Sequence, residues 1–188
     1  MGELKALIGF RAARYWPITT NDSTTYATGT MKAFVGARSL TKDEVRTEYE
    51  IPGDDGIYAT GSRYRYQDME LEVDELPLEL QAALKGGTYV EADQTYYFEK
   101  DDEGIAFAFG CAAPLLSGNF RMWKYYACKV LSIKIDHTTQ TTDKIDAQTY
   151  KIKFRNTYRE ADGRPEFVKD SADGTYDWLN SIDQLPAA

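Results

Sequence analysis

A chain of 188 residues is long enough to bury about two-thirds of its unfolded surface around one core, without disulfide or metal staples. With 30 Asp plus Glu against 22 Lys plus Arg the formal charge is -8, which excludes an electrostatic grip on nucleic-acid phosphates or anionic lipid as the main activity. Cys111 and Cys128 form no CxxC and no Cys/His cluster, and His137 is the single histidine, so a zinc site, a disulfide framework and most triad chemistry are excluded as well.

No run approaches the roughly 18 to 20 apolar residues of a membrane helix, and MGELKALIGF lacks the apolar region and cleavage site of a signal peptide. A soluble protein made inside the cell is expected. Tyr, Phe and Trp make 13% of the chain, and aromatics suit pleated, half-buried surfaces. Residues 4–18, LKALIGFRAARYWPI, show no helical stripe and read as a first strand closed by Pro17, which lacks a backbone donor. TTNDSTTYATGT (19–30) is rich in side chains that compete for backbone hydrogen bonds and reads as a loop. MKAFVGARSL (31–40) offers a short apolar strand. In TKDEVRTEYE, Val45, Thr47 and Tyr49 then alternate with charged neighbours at the period of a strand.

PGDDG (52–56) is a turn, after which GIYATGSRYRYQ returns antiparallel to residues 43–50. The hairpin, about 40–66, is polar on both faces, with Asp43, Glu44, Arg46, Glu48, Asp54, Asp55, Arg63 and Arg65 among its charges. Such an element cannot be mostly core. It is either a mobile surface loop or an arm that pairs with another subunit.

DMELEVDELPLELQAALKGG (68–87) carries the most information. Met69, Leu71 and Val73 alternate with Glu70, Glu72 and Asp74, so one strand face is apolar and the other acidic. Three like charges on one side of a strand repel one another, and a solvated face is the ordinary explanation. Leu76, Leu80 and Leu84 then recur every four residues, Pro77 suits an early helical position and Gly86-Gly87 supplies a stop. The spacing predicts a short helix over about 76–86, roughly 15 Å long.

Strands follow. TYYFEK (95–100) ends at DDEG, and IAFAFGCAA (105–113) is apolar enough to be buried on both faces. After the turn PLLSGN comes the long run FRMWKYYACKVLSIKID (120–136), where Lys129, Lys134 and Asp136 wet one face near its end. HTTQTTDK (137–144) is a polar tip, and AQTYKIKFRN (147–156) points Tyr150, Ile152 and Phe154 inward against Lys151, Lys153 and Arg155 outward. Residues 157–188 are turn-rich, an arm with room for one short helix in TYDWLNSIDQLPAA. Neither a repeat nor a linker divides the chain, so residues 1–188 are expected to form a single domain. Its class is mainly β: an antiparallel sandwich or partly closed barrel with one short flanking helix and a long polar hairpin.

Chemistry is scarce. His137 sits in the polar tip, away from any nucleophile, and the cysteines sit in apolar and aromatic runs that suit buried small hydrophobes. Asp54-Asp55 and Asp101-Asp102 are adjacent residues in turns, not carboxylates facing each other across a cleft. GxGxxG after a strand, P-loop, HExxH and GxSxG are all missing, and no enzyme activity, cofactor or metal is expected. GSRYRYQ interleaves Arg63 and Arg65 with Tyr64 and Tyr66, a pattern of some single-strand binders, though in so acidic a chain ordinary cross-strand stacking is the commoner reason for it. Fourteen tyrosines keep a carbohydrate-binding β-sandwich open as an alternative.

From Tyr64 to Asn156 the sequence resembles the major tail proteins that build the tail tube of long-tailed siphovirus phages. The carriers are MELEVDELP leading into LELQAALKGG and a Tyr/Phe-rich strand, then FRMWKYYACKVL, TTQTTDK, AQTYKIKFRN and DGRPEF, about half the chain. The first sixty residues are similar only in outline. The resemblance implies hexameric rings that stack head to tail into a conduit for the genome, assembled in the host cytoplasm and then part of the virion tail. By the same resemblance the partners are further copies of the chain, the tape-measure protein, and the tail-tip and tail-terminator proteins, with DNA passing transiently and no membrane involved. A tube protein of a defective prophage or tail-like particle is an alternative within it. On this reading Glu70, Glu72 and Asp74 face the lumen, where an acidic wall lets DNA slide, and residues 40–66 form the inter-ring arm.

Overall fold

The computed structural model describes residues 5–54, 56–135 and 148–185 of the chain. In chain order the elements are β1 (Arg11–Asn21), β2 (Tyr26–Thr28), β3 (Lys32–Ala33), β4 (Ala37–Gly53), β5 (Gly56–Val73), α1 (Leu78–Lys85), β6 (Thr88–Val90) and β7 (Thr95–Tyr97). They continue with β8 (Ala106–Pro114), β9 (Phe120–Ile135), β10 (Tyr150–Asn156), β11 (Glu166–Asp170) and a 3-10 turn at Asp177–Asn180. One antiparallel sheet runs β2-β1-β8-β9-β10-β5-β4, with β11 also on β9 and β3 also on β1, while β6 and β7 form a separate small ribbon. The expected mainly β, antiparallel class with one short helix holds. The sheet is not closed into a barrel, since its path ends in β2 and β4.

The core follows from period-two alternation. Ala13 and Tyr15 of β1, Phe107, Phe109 and Cys111 of β8, Ile152 and Phe154 of β10 and Met69, Leu71 and Val73 of β5 belong to one buried cluster. Because β1 and β5 lie four strands apart in the sheet, sharing a core requires the sheet to curl. Phe34 and, from the α1 region, Leu76 and Leu84 fill the curl. On the opposite face Trp16, Ala108, Tyr126 and Ala112 are covered by the C-terminal segment through Ile182 and Leu179. That cover makes β8 buried on both faces, as its unbroken apolar run requires.

Helix α1 ends where Gly86 turns left-handed at φ 82°, with Gly87 N–H donating to Ala82 O at 2.9 Å. Several boundaries differ from the sequence reading. Residues 19–30 are half strand rather than all loop: β1 reaches Asn21, β2 takes Tyr26–Thr28, and the turn between them is built on the Asp22 carboxylate, which accepts from the amides of Thr24 at 2.9 Å and Thr25 at 2.8 Å. Tyr26 anchors the return, fully buried and donating from Oη to Tyr126 O at 2.6 Å.

Pro17 lies inside β1 rather than ending it. Its carbonyl accepts from Gly29 N at 2.7 Å, and the register slips just beyond it, between Ile18 and Thr20. Residues 5–10 precede the strand instead of forming it, and β5 is one continuous strand through the hairpin return and the acidic-alternating segment. Strand β11 falls within the stretch read only as turns.

Candidate functional site

Strands β4 and β5 pair from Ala37 and Val73 at the root to Gly53 and Gly56 at the turn, confirming the antiparallel return. Strand β10 supports β5 only as far as Asn156 opposite Gln67, so from Val45 and Tyr66 outward the hairpin is a bare two-stranded ribbon. Eight strand steps from Val45 to Gly53 give an arm about 26 Å long. Glu48, Glu50, Asp54, Arg63 and Arg65 are exposed along it, while Asp55 lies outside the described residues. A register slip between Ile51 and Pro52 leaves Tyr58 as the extra residue of a bulge, 84% exposed, with Tyr49 and Ile51 also exposed nearby. Inside the ribbon the Arg63 guanidinium sits 5.5 Å from the Tyr49 ring centre, and Arg46 bonds Glu44 and, at 3.3 Å, Ser62 Oγ.

A polar hub fixes the root. Asn156, fully buried, donates from Nδ2 to Gln67 Oε1 at 3.2 Å and to Pro165 O at 3.1 Å, and its Oδ1 accepts from Ala127 N at 3.2 Å. Tyr64 Oη donates to Asn156 O at 3.0 Å. Its phenol is pushed above the usual tyrosine range by burial. Gln67 Nε2 and Lys42 Nζ each reach Glu166 Oε2 at 3.1 Å, which ties both arm strands to β11. Arg155 grips Asp68 through two bonds of 2.7 and 2.9 Å while its guanidinium lies 3.7 Å over the Tyr66 ring. Sequence reading missed Asn156 and Gln67, yet both fall on the inward parity of their strands, Asn156 with Ile152 and Phe154, Gln67 with Met69 and Leu71. A polar residue at an inward position needs a partner, and that signal was present.

Met69, Leu71 and Val73 are buried and the acids lie on the opposite face, as the alternation predicts. At the level of the sheet, however, the acids meet cations. Glu72 stands opposite Lys151, Glu70 opposite Lys153 and Asp68 opposite Arg155. Lys153 Nζ is 3.4 Å from Glu70 Oε2, and Asp74 pairs with Arg38. Glu72 accepts from Thr149 Oγ1 at 2.8 Å and from Ser39 Oγ at 3.3 Å. The like-charge repulsion expected along the strand is therefore offset across it. On the same side of the fold Leu131 is the extra residue of the β9 bulge and stands 55% exposed.

Cys111 and Cys128 are buried and free, and burial raises both thiols well above their usual range, so neither is a thiolate. His137 lies outside the described residues. The C-terminal segment is held by buried charge: Lys124 Nζ, fully enclosed, sits 3.9 Å from the Trp178 ring centre and 3.5 Å from Asp183 Oδ1. Arg159 bonds Asp162 and donates to Asp183 O at 2.7 Å, and Tyr126 Oη donates to Asp183 Oδ2 at 2.6 Å. Among the described residues no group of three or more His, Cys, Asp and Glu could hold a metal ion, and no helix is long and apolar enough to cross a membrane.

No family model matches the chain, and no curated protein does. One solved structure similar to it is the anti-feeding prophage cap, the tube terminating cap of that particle, at 10% identity and a TM-score of 0.47 over 84% of this chain and 88% of that one. No role is carried from it to this chain.

Proposed function

We propose that this chain is a structural subunit of a phage-type tail tube, built from hexameric rings stacked head to tail, and not an enzyme. The observation that supports this reading best is the β4–β5 arm, a long ribbon with no core of its own that is nonetheless aimed by a buried hub at its root. Isolated two-stranded ribbons are marginal in water, so an arm of this length gains its stability from a partner. Strand β4 is also an end strand of the sheet, and a ring of copies removes such edges by pairing them. The sequence resemblance over residues 64–156 points the same way and adds the tape-measure, tail-tip and tail-terminator proteins as partners. Assembly then takes place in the host cytoplasm, and the product is part of the virion tail.

In that assembly we place Glu70, Glu72 and Asp74 on the lumen wall. Their partners sharpen what such a wall does. Cations already held by carboxylates, Lys153 and Arg155 above all, offer a passing phosphate no free site, while the carboxylates repel it. Residues 40–66 make the inter-ring contact. Negative-stain microscopy of concentrated protein tests the reading, with tubes of stacked rings expected and monomers at every concentration counting against it. Replacing residues 48–62 by an Asn-Gly turn, which joins the paired Thr47 and Arg63, should leave a folded chain that forms no tubes, and normal tubes from that variant would remove the arm from the assembly.

A further inference from the structure

At the root of the arm lies an open apolar cleft of about 480 Å³, between the segment before β1, the start of β4 and the β8–β9 pair. Leu7, Phe10, Leu40 and Trp123 line it, with Arg38 and Lys42 at its rim. No described residue fills it, and Leu7 stands 49% exposed. At the far end of the same hairpin are an exposed aromatic, Tyr58, an exposed Ile51 and the acids Glu48, Glu50 and Asp54, which have no ion-pair partner among the described residues. Acceptor and tip thus complement each other as apolar with apolar, while of the two rim cations Lys42 is already paired with Glu166 at 3.1 Å and Arg38 with Asp74. An incoming carboxylate at the rim would share the Arg38 guanidinium, with its five donors, with Asp74.

We propose that this cleft receives the arm tip of a second copy of the chain, with Tyr58 as the inserted side chain. The inference rests on reading the arm as an assembly element and identifies its receptor. Geometry forbids self-insertion: nine strand steps of pairing from Lys42 to Ile51, beside which Tyr58 bulges, hold Tyr58 and the cleft about 30 Å apart. A second copy displaced by that length along the hairpin brings its tip to the first copy's cleft. The contact is heterologous, so each copy still has one free tip or one free cleft, and the array propagates.

The test is a chain carrying both Leu7→Cys and Tyr58→Cys, treated with a short bismaleimide. Cys111 also lines the cleft, so all cross-linking variants carry Cys111→Ala, and Cys128, buried elsewhere in the core, is the remaining native thiol. A covalent ladder of dimers, trimers and higher forms is expected from the double variant. Each single variant can give dimers at most, and mixing the two singles gives the mixed dimer. In the otherwise native chain, Tyr58→Ser should raise the concentration needed for assembly about tenfold or more, and Leu7→Glu should do the same from the other side. Absence of the ladder overturns the proposal. If tubes form without the ladder and the arm deletion still abolishes them, the cleft is wrong and the arm stands. If the deletion leaves tubes intact, both fall.

Discussion

Asn156 decides where the arm points, because one side chain links β5, β9 and the segment before β11. Asn156→Ala leaves Gln67 Oε1, Ala127 N and Pro165 O without this partner. A buried polar group left unpaired costs about 1–3 kcal/mol, so the variant should lose at least about 2 kcal/mol in urea unfolding. A loss below about 0.5 kcal/mol would mean that water replaces the amide. A second residue-scale device latches β11. Arg121 forks onto Asp170 through bonds of 2.6 and 3.0 Å, and this hydrogen bonding, with help from Lys5, lowers the carboxyl to about 2 from 3.8. A depressed folded pKa contributes stability above the unfolded value and loses it as pH falls through the folded one. The latch should therefore be intact above about pH 4 and fade toward pH 2. Asp170→Asn should flatten that part of the acid-unfolding curve, and an unchanged slope would show that the pair contributes nothing.

Among the elements, the helix was the most legible, because its signals are local: leucines at a four-residue period and a glycine stop. The stop can be tested. At Gly86 a side chain meets a left-handed backbone, and a Cβ there would lie 2.3 Å from Glu103 O. Gly86→Ala should destabilise the fold by about 1–3 kcal/mol, measured by thermal unfolding, while the same change at Gly118, also left-handed but with open space around it, carries only the conformational part. Equal losses at the two sites would refute the steric argument. Strand β11 was illegible for the converse reason. Its five residues expose Phe167, Val168 and Lys169 in succession, so no period-two contrast marks it, and only its pairing to β9 makes it a strand. The loop reading of residues 19–30 failed because Thr and Asn fit strands and turns alike, and the burial of Tyr26, a tertiary fact, chose between them.

For the whole molecule, the net charge of -8 was visible from the start, and the alternation placed three of its acids on one strand face. Register remained hidden. A sequence shows which residues share a strand face but not which strand lies beside it, so the outward Lys151, Lys153 and Arg155 and the outward acids were both legible while their apposition was not. That apposition turns the acidic surface into a switchable one. Asp68→Asn with Glu70→Gln removes the carboxylates that hold Arg155 and Lys153, keeps the side-chain shapes, and changes the net charge only from -8 to -6. If these acids serve to engage neighbouring cations, the double variant should retain DNA in a low-salt mobility-shift assay while the native protein does not. Two released cations imply a slope of log affinity against log salt of about -2, far from what a two-unit change in overall charge would give through long-range attraction. In the proposed tube, two weak phosphate sites per subunit would become many, and a duplex passing through the variant's lumen should drag where in the native one it slides. Should neither protein bind, the cations are not on a surface that DNA reaches, and the placement of Glu70 and Glu72 on the lumen wall fails with them.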